Sequence, residues 1–214
     1  MTLTKERLLD SAEHLFSRKG FSATSVRQIT AAAGVNLAAL NYHFGSKERL
    51  ISAVFARRLG PLNEERIGLL EQCCRESEGG IPSLDGSVRA LVGPALRLSR
   101  APARGGEEFM LLMGRAFSEP EHGVDELVLR QFEGLARRFF PVFRHHLAAL
   151  TEEAFYWRIH FMIGAMAYTM AAPGRLHFIS GGLCSFEDPE EVVDRLVAFL
   201  VSGLRAPAYA EKKK

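Results

Sequence analysis

Asn41, with Leu37 and Ala38 ahead of it in GVNLAALNYHF (Gly34–Phe44), forms a set of side chains suited to the edges of base pairs. In a major groove a side-chain amide pairs with adenine, and small apolar groups pack on the thymine methyl. Arg27 can reach a guanine edge or a phosphate, although a solvated surface arginine would look the same in sequence. Lys47 falls at the start of a further helical run, where the positive helix end welcomes a phosphate.

Such residues are useful only if short rigid elements hold them on one side of the molecule. Ser25 and Gln28 are spaced as a capping box that opens a helix over SVRQITAAA, with Val26 and Ile29 facing inward. Gly34-Val35 supplies a tight turn, and Asn36 is placed as the N-cap of a second helix. There Leu40 and Phe44 fall four apart and share a buried face with Val35, leaving Leu37, Ala38, Asn41 and Tyr42 outward. Two short helices joined by a glycine turn describe a helix-turn-helix. The competing reading is an ordinary helical hairpin within an all-α core.

The charge distribution agrees with a polyanion partner for this region alone. The 214 residues carry a net charge of +2, while residues 1–50 hold seven Lys/Arg against four Asp/Glu. The 47% hydrophobic content is that of a soluble globular chain with a sizeable core, and no apolar run is long enough to span a membrane. The opening MTLTKERLLDSAE lacks a signal-peptide core, so a cytoplasmic location is expected. Cys73, Cys74 and Cys184 have neither the number nor the spacing for a zinc site or a disulfide framework. They read as small hydrophobes, with a redox sensor as the alternative.

No enzyme motif is found: no G-x-S-x-G, H-E-x-x-H, C-x-x-C or phosphate-cradling glycine loop. His145 and His146 are adjacent on a helix and point about 100° apart, so they do not share a metal. Neither a cofactor nor a metal is expected.

Helical signals fill the chain. A first helix is expected from a Thr4 cap to Lys19, ended by Gly20. After the recognition helix, Ser46 caps a linking helix over about 46–59, with a break or kink at Gly60-Pro61. Further helices follow, with interruptions expected at Gly93-Pro94 and Pro141. The last two run from Thr151 to about 172 and from Asp188-Pro189 to about 205. No period-2 run argues for a sheet. The predicted class is all-α: a helix-turn-helix domain over 1–50, an effector-binding and dimerisation bundle over 51–206, and a disordered tail over 207–214.

The body is rich in phenylalanine and methionine. Phe109, Met110, Met113, Phe117, Phe139, Phe143, Phe161, Met162 and Met166 are core residues first, and adaptable walls for a long apolar ligand second. Arg115, in an otherwise apolar helix, either pairs with Glu119 or anchors an anionic headgroup. The last two helices are apolar on more than one side, so a partner subunit is expected to cover Phe161, Ala165, Tyr168, Leu196, Phe199 and Leu200. A monomer with both helices central in its own core is the alternative.

Residues 4–59 resemble the DNA-binding domain of the tetracycline-repressor (TetR) family. The motifs TSVRQI, TAAAGV, LNYHF and KERL stand where that family shows Thr/Ser-Val-Arg-x-Ile, Ala-x-x-Ala-Gly-Val, a Leu-Tyr-x-His/Tyr-Phe run and Lys-x-x-Leu. One departure is that the tyrosine usually following the leucine is Asn41 here, with Tyr42 shifted by one. The resemblance implies DNA contacts from Thr24, Ser25, Arg27, Asn36, Leu37, Ala38, Asn41, Tyr42, His43 and Lys47, with His43 and Lys47 on the backbone. It also implies a homodimer on a palindromic operator, most often a repressor released by a small lipophilic effector. VNLAALNYHFGSK is most similar to the subgroup that senses fatty acids or acyl-CoA thioesters. A drug-like aromatic effector, or a helical protein-interaction module without DNA binding, are the alternatives.

Overall fold

Local capping chemistry starts five of the helices where it was expected. In the computed structural model, which describes residues 2–101, 105–118, 123–171 and 173–207, eleven α-helices appear and no strand among the described residues. They are α1 (Thr2–Lys19), α2 (Val26–Ala33), α3 (Leu37–His43), α4 (Lys47–Glu76), α5 (Leu84–Ser99), α6 (Gly106–Ser118), α7 (Val124–Arg130), α8 (Glu133–His146), α9 (Glu152–Ala171), α10 (Pro173–Ile179) and α11 (Pro189–Arg205). Ser46 caps α4 through the Arg49 N–H at 3.2 Å, and Thr151 caps α9 through the Ala154 N–H at 3.2 Å. Asp188 accepts from the Glu190 N–H at 2.8 Å, with Pro189 as the first residue of α11. Thr4 is not a cap, because α1 already begins at Thr2.

The chain packs as two compact units, Met1–Asn63 with Ala101–Gly134, and Glu64–Arg100 with Leu135–Lys214. This differs from the expected division after residue 50. In the first unit, Leu8, Phe16, Phe21, Ile29, Leu40, Leu50, Val54 and Phe55 are fully buried. The Phe21 ring sits 5.3 Å from Phe16 and 5.9 Å from Phe55, joining α1 to α4. α6 belongs here because it packs on α1, burying Phe109, Leu112, Met113 and Ala116. Arg115 donates from the same helix to the carbonyls of Ser17 and Arg18 at 3.5 and 3.0 Å, satisfying groups at the open end of α1.

In the second unit α11 lies along α5, and α9 packs on both. Val193, Leu196, Val197, Leu200, Val201 and Leu204 form the buried side of α11, and Val88, Val92, Ala95 and Leu96 are buried on α5.

None of the three prolines ends its helix. α4 continues through Pro61 and α8 through Pro141, and both prolines are exposed, so the carbonyls they leave unpaired can be hydrated. α5 continues through buried Pro94, and in the turn before it the Leu91 carbonyl accepts from Arg66 Nε at 2.7 Å. Gln131 and Phe132 separate α7 from α8. The short α10 was not foreseen.

Candidate nucleic-acid interface

The reading head is built from two reciprocal local contacts. Ser25 Oγ accepts from the Gln28 N–H at 3.2 Å, and Gln28 Oε1 accepts from the Ser25 N–H at 2.8 Å, so the capping box closes. Gly34 ends α2 at φ +61°, a left-handed conformation that calls for glycine. Asn36 Oδ1 then accepts from the Ala39 N–H at 2.9 Å and starts α3.

α3 turns Leu40 into the core and presents Leu37, Ala38, Asn41 and Tyr42 to solvent, with Tyr42 72% exposed. Arg27 is exposed on the first turn of α2. His43 is half-buried, its ring 5.2 Å from that of Tyr42 and edge-on to it. These positions agree with an outward reading face carrying one amide, one phenol and one guanidinium.

Four of the expected contact residues have structural partners of their own. Thr24 is fully buried, and its hydroxyl donates to the Gly20 carbonyl at 2.7 Å, so that group braces the turn between α1 and α2 instead of facing a groove. Ser25 and Asn36 use their side-chain oxygens as caps, which leaves the Asn36 amide N–H groups outward. Lys47 is half-buried, and its Nζ donates to the Phe21 carbonyl at 2.5 Å, so its charge is held in place instead of sweeping free. Beside it, a hydrogen bond from Ser46, with its own backbone N–H next in weight, holds the Glu48 carboxyl below its usual range.

Behind the reading head lies a clamp that sequence reasoning missed. Glu13 on α1 is 3% exposed, bonded to Arg57 Nη2 and, at 2.6 Å, to Arg58 Nε, both on α4. Asp10 meets Arg57 Nη1 at 2.7 Å. Burial on its own would lower the Arg57 guanidinium, but the bonds from Glu13 and Asp10 outweigh it and hold it above its ordinary value. The signal was available: Glu13 falls on the same stripe as Leu9 and Phe16, where a carboxylate needs a cation.

The residues expected to line an effector pocket are divided between the two units. Phe109 and Met113 are buried and Met110 half-buried in the first unit, whereas Phe139, Phe143 and Met162 are buried in the second. Phe161 is 62% exposed and lines no core. Arg115 is engaged by α1 carbonyls, and the Phe117 side chain and Glu119 lie outside the described residues. A different arginine is the buried cation of the second unit: Arg66, 2% exposed, with Nη2 3.9 Å from Met166 Sδ. Desolvation lowers it to about 10, partly offset by Glu65.

Of the expected interface residues, Phe161, Tyr168 and Phe199 are exposed and Ala165 is half-buried. Leu196 and Leu200 are buried within the chain itself, since α11 spends that side on α5. A depression of about 320 Å³ between α9 and α11 is lined by Ala165, Tyr168, Thr169, Val192, Arg195, Leu196 and Phe199. Among the described residues no group of three His, Cys, Asp or Glu could hold a metal, and no helix is long and apolar enough to cross a membrane.

Comparison with known proteins places this geometry. The family described as "Tetracyclin repressor-like, C-terminal domain" matches residues 89–203, and the one described as "Bacterial regulatory proteins, tetR family" matches residues 8–54. The probable HTH-type transcriptional regulator YttP of Bacillus subtilis (strain 168) is 45% identical over 56 residues, 24% of this chain and 27% of that protein. The chain therefore aligns with well under half of that relative's length. Among solved structures, the fatty acid degradation regulator FadR from Bacillus halodurans superposes with a TM-score of 0.66 at 13% identity, covering 95% of this chain and 97% of that one. FadR from Bacillus subtilis in complex with stearoyl-CoA gives 0.65 at 13% identity, covering 92% and 98%. At such identity these two likenesses speak for the fold alone. The first family's match extends over more than half of the chain and the second covers the helix-turn-helix, and so the chain belongs to the tetracycline-repressor family of bacterial transcriptional regulators.

Proposed function

We propose that the protein is a cytoplasmic homodimer that binds a palindromic double-stranded DNA operator through α3 and leaves it when a lipophilic effector, a fatty acid or acyl-CoA, occupies the second unit. The observation that carries the DNA reading is the outer face of α3, where Leu37, Ala38, Asn41 and Tyr42 stand exposed beside Arg27 on a doubly capped helix-turn-helix. Asn41 and Arg27 read bases, Tyr42, His43 and Lys47 meet the backbone, and the two-fold sets recognition helices about 34–36 Å apart or a multiple of that.

The effector half is supported by Phe139, Phe143 and Met162, buried in the second unit, and by a solved neighbour that holds stearoyl-CoA. The buried Arg66 beside Met166 is a suitable counter-charge for the carboxylate of a fatty acid. An effector changes DNA affinity only by binding one arrangement of the chain better than another.

The test is a gel shift with genomic fragments followed by base-substituted operators. Asn41→Ala is expected to relax preference at one base pair per half-site by roughly 1–3 kcal/mol. Unchanged operator preference in that variant removes Asn41 from the reading role. Release of the operator complex is then titrated with acids of increasing chain length, and indifference to every length removes the lipid effector while leaving the DNA reading intact.

A further inference from the structure

The connection from α9 to α11 is not a plain loop. After α10 the chain turns through Gly181 (φ +60°) and Gly182 (φ +88°), with the Gly182 N–H donating to the His177 carbonyl at 2.9 Å. Ser180 Oγ donates to the His177 carbonyl at 3.2 Å and accepts from the Cys184 N–H at 3.1 Å. On the return, Phe186 packs under the Arg100 guanidinium at 4.9 Å, and Arg100 donates to the Thr169 carbonyl at 3.4 Å. The segment is thus a built element, closed by its own hydrogen bonds and fastened to its unit.

Its side chains face the wrong way for a finished surface. Phe178, Ile179 and Leu183 are 86%, 75% and 91% exposed. Bonds that hold three large apolar groups in water mark a contact site more often than an accident of composition.

We infer that this tip is an arm that docks on a second copy of the chain, enlarging the α9/α11 face into a full two-fold interface. The inference rests on the homodimer reading above. Area is the first argument. On α9 and α11, Trp157, Phe161, Tyr168 and Phe199 are 54%, 62%, 58% and 67% exposed, Trp157 stacks on Phe161, and Tyr168 and Phe199 line one depression. At 150–250 Å² per aromatic side chain these four offer about 500 Å² per copy, short of the ~800 Å² each partner brings to a standard interface. The three tip side chains add a similar amount and bring the total to that size. Charge is the second argument. Residues 176–186 contain no Asp, Glu, Lys or Arg, so a self-complementary contact here opposes no like charges and gives a charged partner nothing to grip.

The test uses the full chain in sedimentation velocity, comparing wild type with Phe178→Asp/Leu183→Asp. Both positions are exposed, so the fold and helicity are expected to survive. The dimer dissociation constant is expected to rise at least tenfold. Hydroxyl-radical footprinting supplies the second readout, with Phe178 and Leu183 protected at dimer concentration and reactive on dilution to monomer. A wild-type monomer at micromolar concentration sinks the homodimer reading and the arm with it. A wild-type dimer that the double substitution leaves equally tight overturns the arm alone. Protection that persists in the diluted monomer also overturns it, since the chain's own residues then cover the tip.

Discussion

Lys47 Nζ donates to the Phe21 carbonyl at 2.5 Å, tying the first turn of α4 to the turn that follows α1. The same carbonyl also accepts from the Thr24 N–H at 3.3 Å, so removing the lysine leaves it with one donor. Lys47→Ala is therefore expected to cost only about 1 kcal/mol of stability. In DNA binding it weakens all sequences alike and reduces the salt slope by about one unit, and Lys47→Arg restores most of that slope. Thermal melts and binding measured across salt concentrations check this. A lower affinity with an unchanged slope means that Lys47 acts by bracing Phe21 instead of meeting a phosphate.

Glu13 is expected to carry more of the fold's stability than the exposed residues of α3, since it is buried between two arginines. Replacing a buried partner of two arginines leaves both without their main counter-charge, so Glu13→Ala is expected to cost roughly 3–5 kcal/mol, at the lower end because Arg57 and Arg58 retain some solvent. Glu13→Gln keeps the shape and loses less. Chemical denaturation of the two variants reads the difference, and a Glu13→Ala midpoint equal to wild type refutes the clamp.

Leu196 and Phe199 lie three residues apart on α11 yet should fail differently. Leu196 is 7% exposed, so Leu196→Asp buries an unpaired carboxylate and lowers the melting temperature sharply. Phe199 is 67% exposed, so Phe199→Asp leaves the monomer's stability nearly unchanged and raises the dimer dissociation constant. Calorimetry paired with light scattering separates the two outcomes, and a folded Leu196→Asp monomer contradicts the packing described.

Arg66 holds its charge at a cost, since burial lowers it to about 10 from its ordinary value. The sign follows: a base whose folded value is depressed destabilises the fold wherever it is protonated, which includes all of the neutral range. Arg66→Met, similar in volume, is expected to leave the melting temperature at pH 7 unchanged or higher, as replacement of buried ions often does. The same variant is expected to lose response to carboxylate-bearing effectors at least tenfold. A marked fall in melting temperature with unaltered response assigns Arg66 to holding the fold instead of meeting an effector.

What was legible in the sequence was mostly local. Ser25, Asn36, Ser46, Thr151 and Asp188 cap the helices they were expected to cap, because a cap needs only a side chain and an amide two or three residues away. The outward face of α3 followed from Leu40 and Phe44 in the same manner. Pro61 and Pro141 leave their helices unbroken because a proline ends a helix only when the carbonyl it displaces cannot find water or another donor, and both positions are exposed. Thr24 was read as a surface group because a threonine at the start of a motif looks the same whether its hydroxyl meets DNA or the Gly20 carbonyl. The placement of α6 was beyond local signals altogether. Its Phe/Met pattern states that one side is covered, and only the contact with α1 states by what.

That contact limits how the protein can be cut and recombined. Residues 1–50 look like a detachable cassette, but α1 is packed under α6, more than a hundred residues downstream of the chain's start, with Arg115 on its last carbonyls. A chimera that grafts those fifty residues onto another regulator's body carries α1 without its cover. It keeps its operator preference only if the recipient brings an equivalent helix, so the transferable piece is the discontinuous pair 1–63 and 101–134, not a contiguous N-terminal block.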